Sequence, residues 1–176
     1  MLDKIRKRIA TMGTIKTLCE EAEKHALREG IPKPGAEHFL LAAIDLPDGT
    51  AKLAFAKLGA DASAFRAAIQ RQYEDALGRI GLDPQALARP SPENATGERH
   101  GVYSAAASGQ EVMQALAADR TRHKPLLGAH VIVAVAEIEH GVAARALRAM
   151  QIDRAALKRA AEAVIEVSSA VQQRSA

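Results

Sequence analysis

The stretch Gly35-Ala36-Glu37-His38-Phe39-Leu40-Leu41-Ala42-Ala43-Ile44 sets the fold, because a weaker version returns as Gly128-Ala129-His130-Val131-Ile132-Val133-Ala134-Val135-Ala136. Each run follows a proline and is apolar nearly all round, the pattern of a helix placed in the middle of a core. The agreement extends beyond the two runs when the chain is compared with itself. Pro32 and Pro125, like Gly35 and Gly128, lie 93 positions apart (125 − 32 and 128 − 35). Gly49-Thr50-Ala51-Lys52-Leu53-Ala54-Phe55 then parallels Gly141-Val142-Ala143-Ala144-Arg145-Ala146-Leu147 at an offset of 92 (141 − 49), one residue having been lost in the turn. Leu58-Gly59-Ala60-Asp61 sits opposite Met150-Gln151-Ile152-Asp153. Chance supplies one such match, not an ordered series.

Around each run the sequence reads as four helical pieces. The first is predicted from about Ile15 to Arg28, with Leu18, Cys19, Ala22 and Ala26 at helical spacing. Gly30, Pro32 and Pro34 end it, since proline cannot continue the hydrogen-bond ladder and glycine tolerates the turn. The second runs from Ala36 to about Leu46, and a short third follows Pro47-Asp48-Gly49 as far as Leu58. Gly59 closes that helix, and Asp61 is placed to cap a fourth through Phe65 and Ile69. Asp153 holds the same place ahead of Leu157, Val164 and Ile165. A unit this small cannot bury its own apolar face, whereas two packed together can. The expectation is a single all-α domain over residues 1–176, a pseudo-twofold, duplicated four-helix repeat with about eight helices. Repeat one spans 15–70, an inserted helix and loop 71–108, repeat two 109–167 and a polar tail 168–176. Pro90 and Pro92, among small polar residues, mark the loop.

Composition points the same way. Hydrophobic residues make up 48% of the 176, enough for a core, yet only 3% are aromatic and Trp is absent. The apolar content is carried by Ala, Leu, Ile and Val, which favours closely packed helices. The net charge is +3, and the 24 Lys+Arg are spread along the chain. With two Tyr and three Phe there is no platform for stacking bases, so nucleic acid is not an expected partner. The densest basic patch is Lys4, Arg6, Lys7 and Arg8. It could meet an acidic surface or nucleic acid electrostatically, but a solvated face of a short first helix is the simpler reading. No stretch approaches the length of a membrane span, and the N-terminus lacks the apolar core of a secretory signal, so a cytoplasmic location is expected.

Catalytic and metal-binding patterns are not found. The single Cys19 excludes an internal disulfide and any cysteine metal cluster, and its setting is an apolar helix face. The six His residues form neither an H-x-x-x-H pair nor an HExxH motif. Glu37-His38 and Glu139-His140 are neighbours, which point in different directions on a helix. Ser104 to Gly109 does not form a nucleophile elbow, and no GxxxxGK[ST] phosphate loop occurs. The chain is therefore expected to be no enzyme and to need no cofactor and no metal.

The string Gly35-Ala36-Glu37-His38-Phe39-Leu40-Leu41-Ala42, followed by Asp48-Gly49-x-Ala51 and Leu58-Gly59-Ala60-Asp61, resembles the Clp amino-terminal repeat. That unit has a G-T-E-H-L-L-L-A-L-L core, a turn, a G-x-A-x-x-x-L helix and an L-G-x-D step, and occurs twice per domain. The resemblance covers roughly residues 15–70 closely and 110–167 in eroded form. It implies the recognition half of an unfoldase without its motor: a module that binds a Clp-type ATPase, an adaptor protein or unfolded polypeptide. Some relatives hold phosphorylated arginine through the Glu of each G-T-E-H motif. Glu37 matches that Glu, with Ala36 in place of the Thr; in the second copy the equivalent position reads as His130, after Ala129. A neutral imidazole cannot replace a carboxylate opposite a guanidinium. The plain alternative for Glu37 is a carboxylate favoured by the helix macrodipole. The candidate binding residues are thus Gly35, Ala36, Glu37, Gly128, Ala129 and His130, two helix starts whose free N–H groups could hold a peptide. Other readings are a decoy that withholds adaptors or substrates from the Clp machine, and a structural homodimer with weak nucleic-acid binding.

Overall fold

The computed structural model describes residues 2–79, 104–118 and 125–174, with side chains over 11–79, 104–118 and 125–171. Among these residues the chain is all-helical: α1 (Leu2–Arg28), α2 (Ala36–Asp45), α3 (Thr50–Lys57), α4 (Ala64–Arg79), α5 (Ala107–Ala118), α6 (Gly128–Glu137), α7 (Val142–Ala149) and α8 (Arg154–Arg174). The loop expected around Pro90 and Pro92 lies outside the described residues.

The helix centres fall where the apolar runs put them, and the outer boundaries move. α1 is one helix from Leu2, so the short first helix and the piece expected from Ile15 are continuous. Gly13 sits inside it with nothing near its would-be Cβ, at a propensity cost of about 1 kcal/mol relative to Ala. α4 runs on to Arg79, into the segment read as an insert, and α8 continues to Arg174 through the segment read as a tail. Neither extension contains a proline, and adding a residue to an existing helix is far easier than starting one.

Helix ends follow chain chemistry. At the end of α1, Ile31 N–H donates to Ala26 O at 2.9 Å and Gly30 N–H to Leu27 O at 3.0 Å, with Gly30 at φ +71°. The same doubled closure ends α3, where Ala60 N–H donates to Phe55 O and Gly59 N–H to Ala56 O. It ends α7 as well, through Ile152 N–H to Leu147 O and Gln151 N–H to Arg148 O. This closure puts one residue in the left-handed region, where glycine is at ease.

α2 and α6 form the centre. Every residue from Ala36 to Ile44 is buried, as is Gly128 to Ala136 apart from half-buried Val133. α2 packs on α1, α5 and α6, and α6 packs on α8. α3 lies on α8 and α4 on α7, so each half of the chain closes over the other. Small residues permit the close approach: a Cβ on Gly128 would fall 2.8 Å from Ala43 O and 3.2 Å from Ala51 Cβ. Phe39, Phe55 and Phe65 are fully buried, and the Phe55 and Phe65 rings pack tilted with centroids 6.3 Å apart. Burying each such side chain stabilises the fold by about 1.5–3 kcal/mol.

Candidate functional site

Gly35 is the N-cap of α2, and its N–H donates to Nδ1 of His38, three residues on, at 2.9 Å. Leu127 caps α6 in the same way, its N–H donating to Nδ1 of His130 at 3.0 Å. This is the reaching-back half of a capping box, made by histidine instead of Glu or Gln. Since Nδ1 accepts, the His38 proton resides on Nε2, which donates to Glu29 Oε2 at 3.2 Å.

The next N–H groups are also taken. Ala36 N–H donates to Ser108 Oγ on α5 at 3.1 Å. Gly128 N–H donates to Asp48 Oδ2 at 3.1 Å, and Ala129 N–H to Thr50 Oγ1 at 2.9 Å. Asp48 Oδ1 in turn accepts from the Thr50 hydroxyl and its N–H. The expectation of free N–H donors at these starts is thus corrected: those of Gly35, Ala36, Gly128 and Ala129 are satisfied by side chains of the chain itself. The reason is that both starts are buried, and a buried N–H left without a partner is costly.

The starts do not converge on one site either. Gly128 packs against Ala43, whereas Gly35 and Ala36 lie at the opposite end of α2, roughly 10 Å away along its axis. The two caps also fix a spacing. The shared cap pairs His38 with His130 and Gly35 with Leu127 (130 − 38 and 127 − 35, both 92). The caps thus stand 92 apart, whereas the glycines Gly35 and Gly128 stand 93 apart. Counted from the caps, Ala129 stands two residues after Leu127 as Glu37 stands two after Gly35.

Glu37 folds back over Gly35, its carboxylate oxygens 2.7 and 2.8 Å from where a Cβ on Gly35 would be. The glycine leaves room for the carboxylate there, and a Cβ would make it shift. The residue is 6% exposed, and Oε1 accepts the Tyr73 hydroxyl from α4 at 2.9 Å. Burial, then the carboxylates of Glu37 and Glu29, push the Tyr73 phenol well above its ordinary range. Oε2 of Glu37 has no hydrogen-bond partner among the described residues. A desolvated carboxylate oxygen in that state is an acceptor for a cationic side chain.

Sequence reasoning missed Tyr73, although Phe65, Ile69 and Tyr73 share one helix face by their spacing of four. It also missed Ser108, Asp48 and Thr50, of which Asp48-Gly49-Thr50 has the look of a helix-start signal. Lys4, Arg6, Lys7 and Arg8 lie in the first turns of α1, with side chains outside those described. Cys19 is half-buried. Among the described residues no group of three or more His, Cys, Asp or Glu could hold a metal ion, and no helix is long and apolar enough to cross a membrane. Set against models of known protein families and against curated proteins, the chain matches none.

Proposed function

We propose that the chain is a non-catalytic protein-binding module of the kind found at the amino terminus of Clp-type unfoldases, acting in the cytoplasm in protein quality control or regulated proteolysis. The observation that carries this reading is the constant spacing of 92 between matched landmarks. It joins the histidine caps His38 and His130, the left-handed helix ends Gly59 and Gln151, and the turn residues Asp61 and Asp153. The crossed packing of α3 on α8 and α4 on α7 supports the same duplicated architecture. Architecture alone leaves activity open, so the site must carry the rest. Here that is Glu37, a buried carboxylate with one oxygen held by Tyr73 and the other available to an arginine or lysine of a partner. Phosphoarginine would be taken at this start alone, because Ala129 stands where the second carboxylate would be.

The test is capture with tagged protein from the source organism's lysate, read by mass spectrometry, with Glu37→Ala alongside. Wild type is expected to recover a Clp-type ATPase, its adaptor or unfolded clients. The variant should recover about tenfold less, the weight of a lost charge-assisted contact, with unchanged helical content. Recovery of none of these partners by wild type removes the reading. Equal recovery by the variant removes Glu37. Added to a reconstituted degradation reaction, the protein should speed turnover if it delivers substrates and slow it if it withholds them.

A further inference from the structure

α5, the end of α6 and the start of α7 border an open groove of about 820 Å3 that the Glu37 site does not use. It is open to solvent, so an occupant would lie along it rather than be enclosed. The floor is short and apolar, with Ala115 from α5, Ala134 from α6 and Ile138 just after it. The rim is acidic: Glu111 on α5, Glu137 at the last position of α6 and Glu139 in the connection to α7. Glu137 is paired with Lys158 at 2.8 Å, but Glu111 and Glu139 are exposed and have no ion pair among the described residues. Arg154 does not neutralise them, because its guanidinium is committed to the carbonyl oxygens of Ala136 and Ile138 at 3.0 and 2.9 Å.

Two features select the occupant. Unpaired carboxylates on separate elements, with apolar floor between them, fit cations spaced by small apolar groups. The C-terminal end of α6 adds its negative dipole end to the same preference. The first turn of α5 also borders the groove, with the Ala106 N–H just before it already donating to Pro34 O at 3.0 Å. The apolar floor between the carboxylates suits the small apolar side chains of a polypeptide, which a simple polyamine lacks.

We infer that this groove docks a basic, extended protein segment, whose arginine or lysine side chains meet Glu111 and Glu139 while small apolar side chains lie on the Ala115, Ala134 and Ile138 floor. The groove touches the α2 start only through Ser108, whose hydroxyl accepts the Ala36 N–H, and its carboxylates Glu111 and Glu139 are separate from Glu37.

The experiment is fluorescence anisotropy with purified protein and a short labelled peptide alternating arginine with alanine and leucine. A matched peptide with glutamate for arginine, and spermidine as a competitor, accompany it. The basic peptide is expected to bind and to weaken with salt, and the acidic one not to bind. Glu111→Lys with Glu139→Lys should lower affinity at least about tenfold, as reversing two rim charges predicts. The same change at Glu20 and Glu166, exposed and outside the groove, should leave it nearly unchanged. Ala107→Trp, which fills the groove from an exposed helix position without altering charge, should block binding. The inference is overturned by no binding, by equal loss in the Glu20 and Glu166 variant, or by spermidine displacing the peptide as well as unlabelled peptide does. Loss of binding in Glu37→Ala alone would move the site to the α2 start.

Discussion

His25 lies fully buried in the last turn of α1, where its Nε2–H donates to Asp45 at 2.9 Å and its Nδ1 accepts from Arg66 at 2.8 Å. Burial and the Arg66 charge hold this imidazole below its ordinary value of 6.5, against an opposing pull from Asp45. An unfolded chain therefore takes up this proton first as the pH falls. The contribution of His25 is constant above about pH 7, and stability is lost as the pH drops below 6.5 toward the lower folded value. Urea midpoints at about pH 7.5 and about pH 5.5 test this around the unperturbed value. Wild type should lose stability on acidification, and His25→Gln should lose less; equal losses would place the proton uptake elsewhere. Nothing in the sequence marks His25, because its partners lie 20 and 41 positions away. Glu37 was legible as a position, through its motif, but the Tyr73 hydroxyl that holds it comes from 36 residues further on.

At the scale of helices, the closures of α3 and α7 have the same hydrogen bonds but different residues at the left-handed position. Gly59 sits at φ +66° at the end of α3, and Gln151 at φ +59° at the end of α7. A side chain in that region costs about 1–2 kcal/mol relative to glycine. Gln151→Gly is therefore expected to raise stability by about 1 kcal/mol and the melting temperature by about 2–4 °C. A calorimetric scan that shows no rise would mean that the Gln151 side chain offsets its own strain. Helix centres were readable for a plain reason: α2 and α6 are apolar on every side, and only an interior position satisfies that pattern. Helix ends were harder. α1 runs straight through Gly13, which joins the short first helix to the piece expected from Ile15, and α8 extends through polar residues with no proline to stop it. Gly35 and Gly128 do not occupy the same place in their caps: Gly35 is the N-cap of α2, whereas Leu127 is the N-cap of α6, each held by a histidine three residues on.

Across the whole molecule, α3 on α8 and α4 on α7 tie the two halves together through contacts distant in sequence. Composition and repeat spacing suggested that two units were needed, yet gave no sign of which helix would meet which. Within each half the central helix is covered on one side only, α2 by α1 and α6 by α8, so residues 1–79 and 104–176 should each be largely unfolded when produced separately. Helicity should rise when the two are mixed, by circular dichroism. A cooperative melt from either fragment alone would show that a half carries a sufficient core. The candidate binding residues Gly35 to Glu37 and Gly128 to His130 lie at the buried starts of the two central helices, and composition could not reveal that the N–H groups of Gly35, Ala36, Gly128 and Ala129 were already committed.

The exchange of caps between the halves has a consequence in time. Ala36 is closed by Ser108, 72 positions later, and α6 by Asp48 and Thr50 from the earlier half. A ribosome adding about 5–20 residues per second needs roughly 4–14 s to travel from one to the other. Throughout that interval the nascent chain presents the apolar surface of α2 beyond the exit tunnel without the partner helix that will cover it. A stall between the halves would leave that surface uncovered.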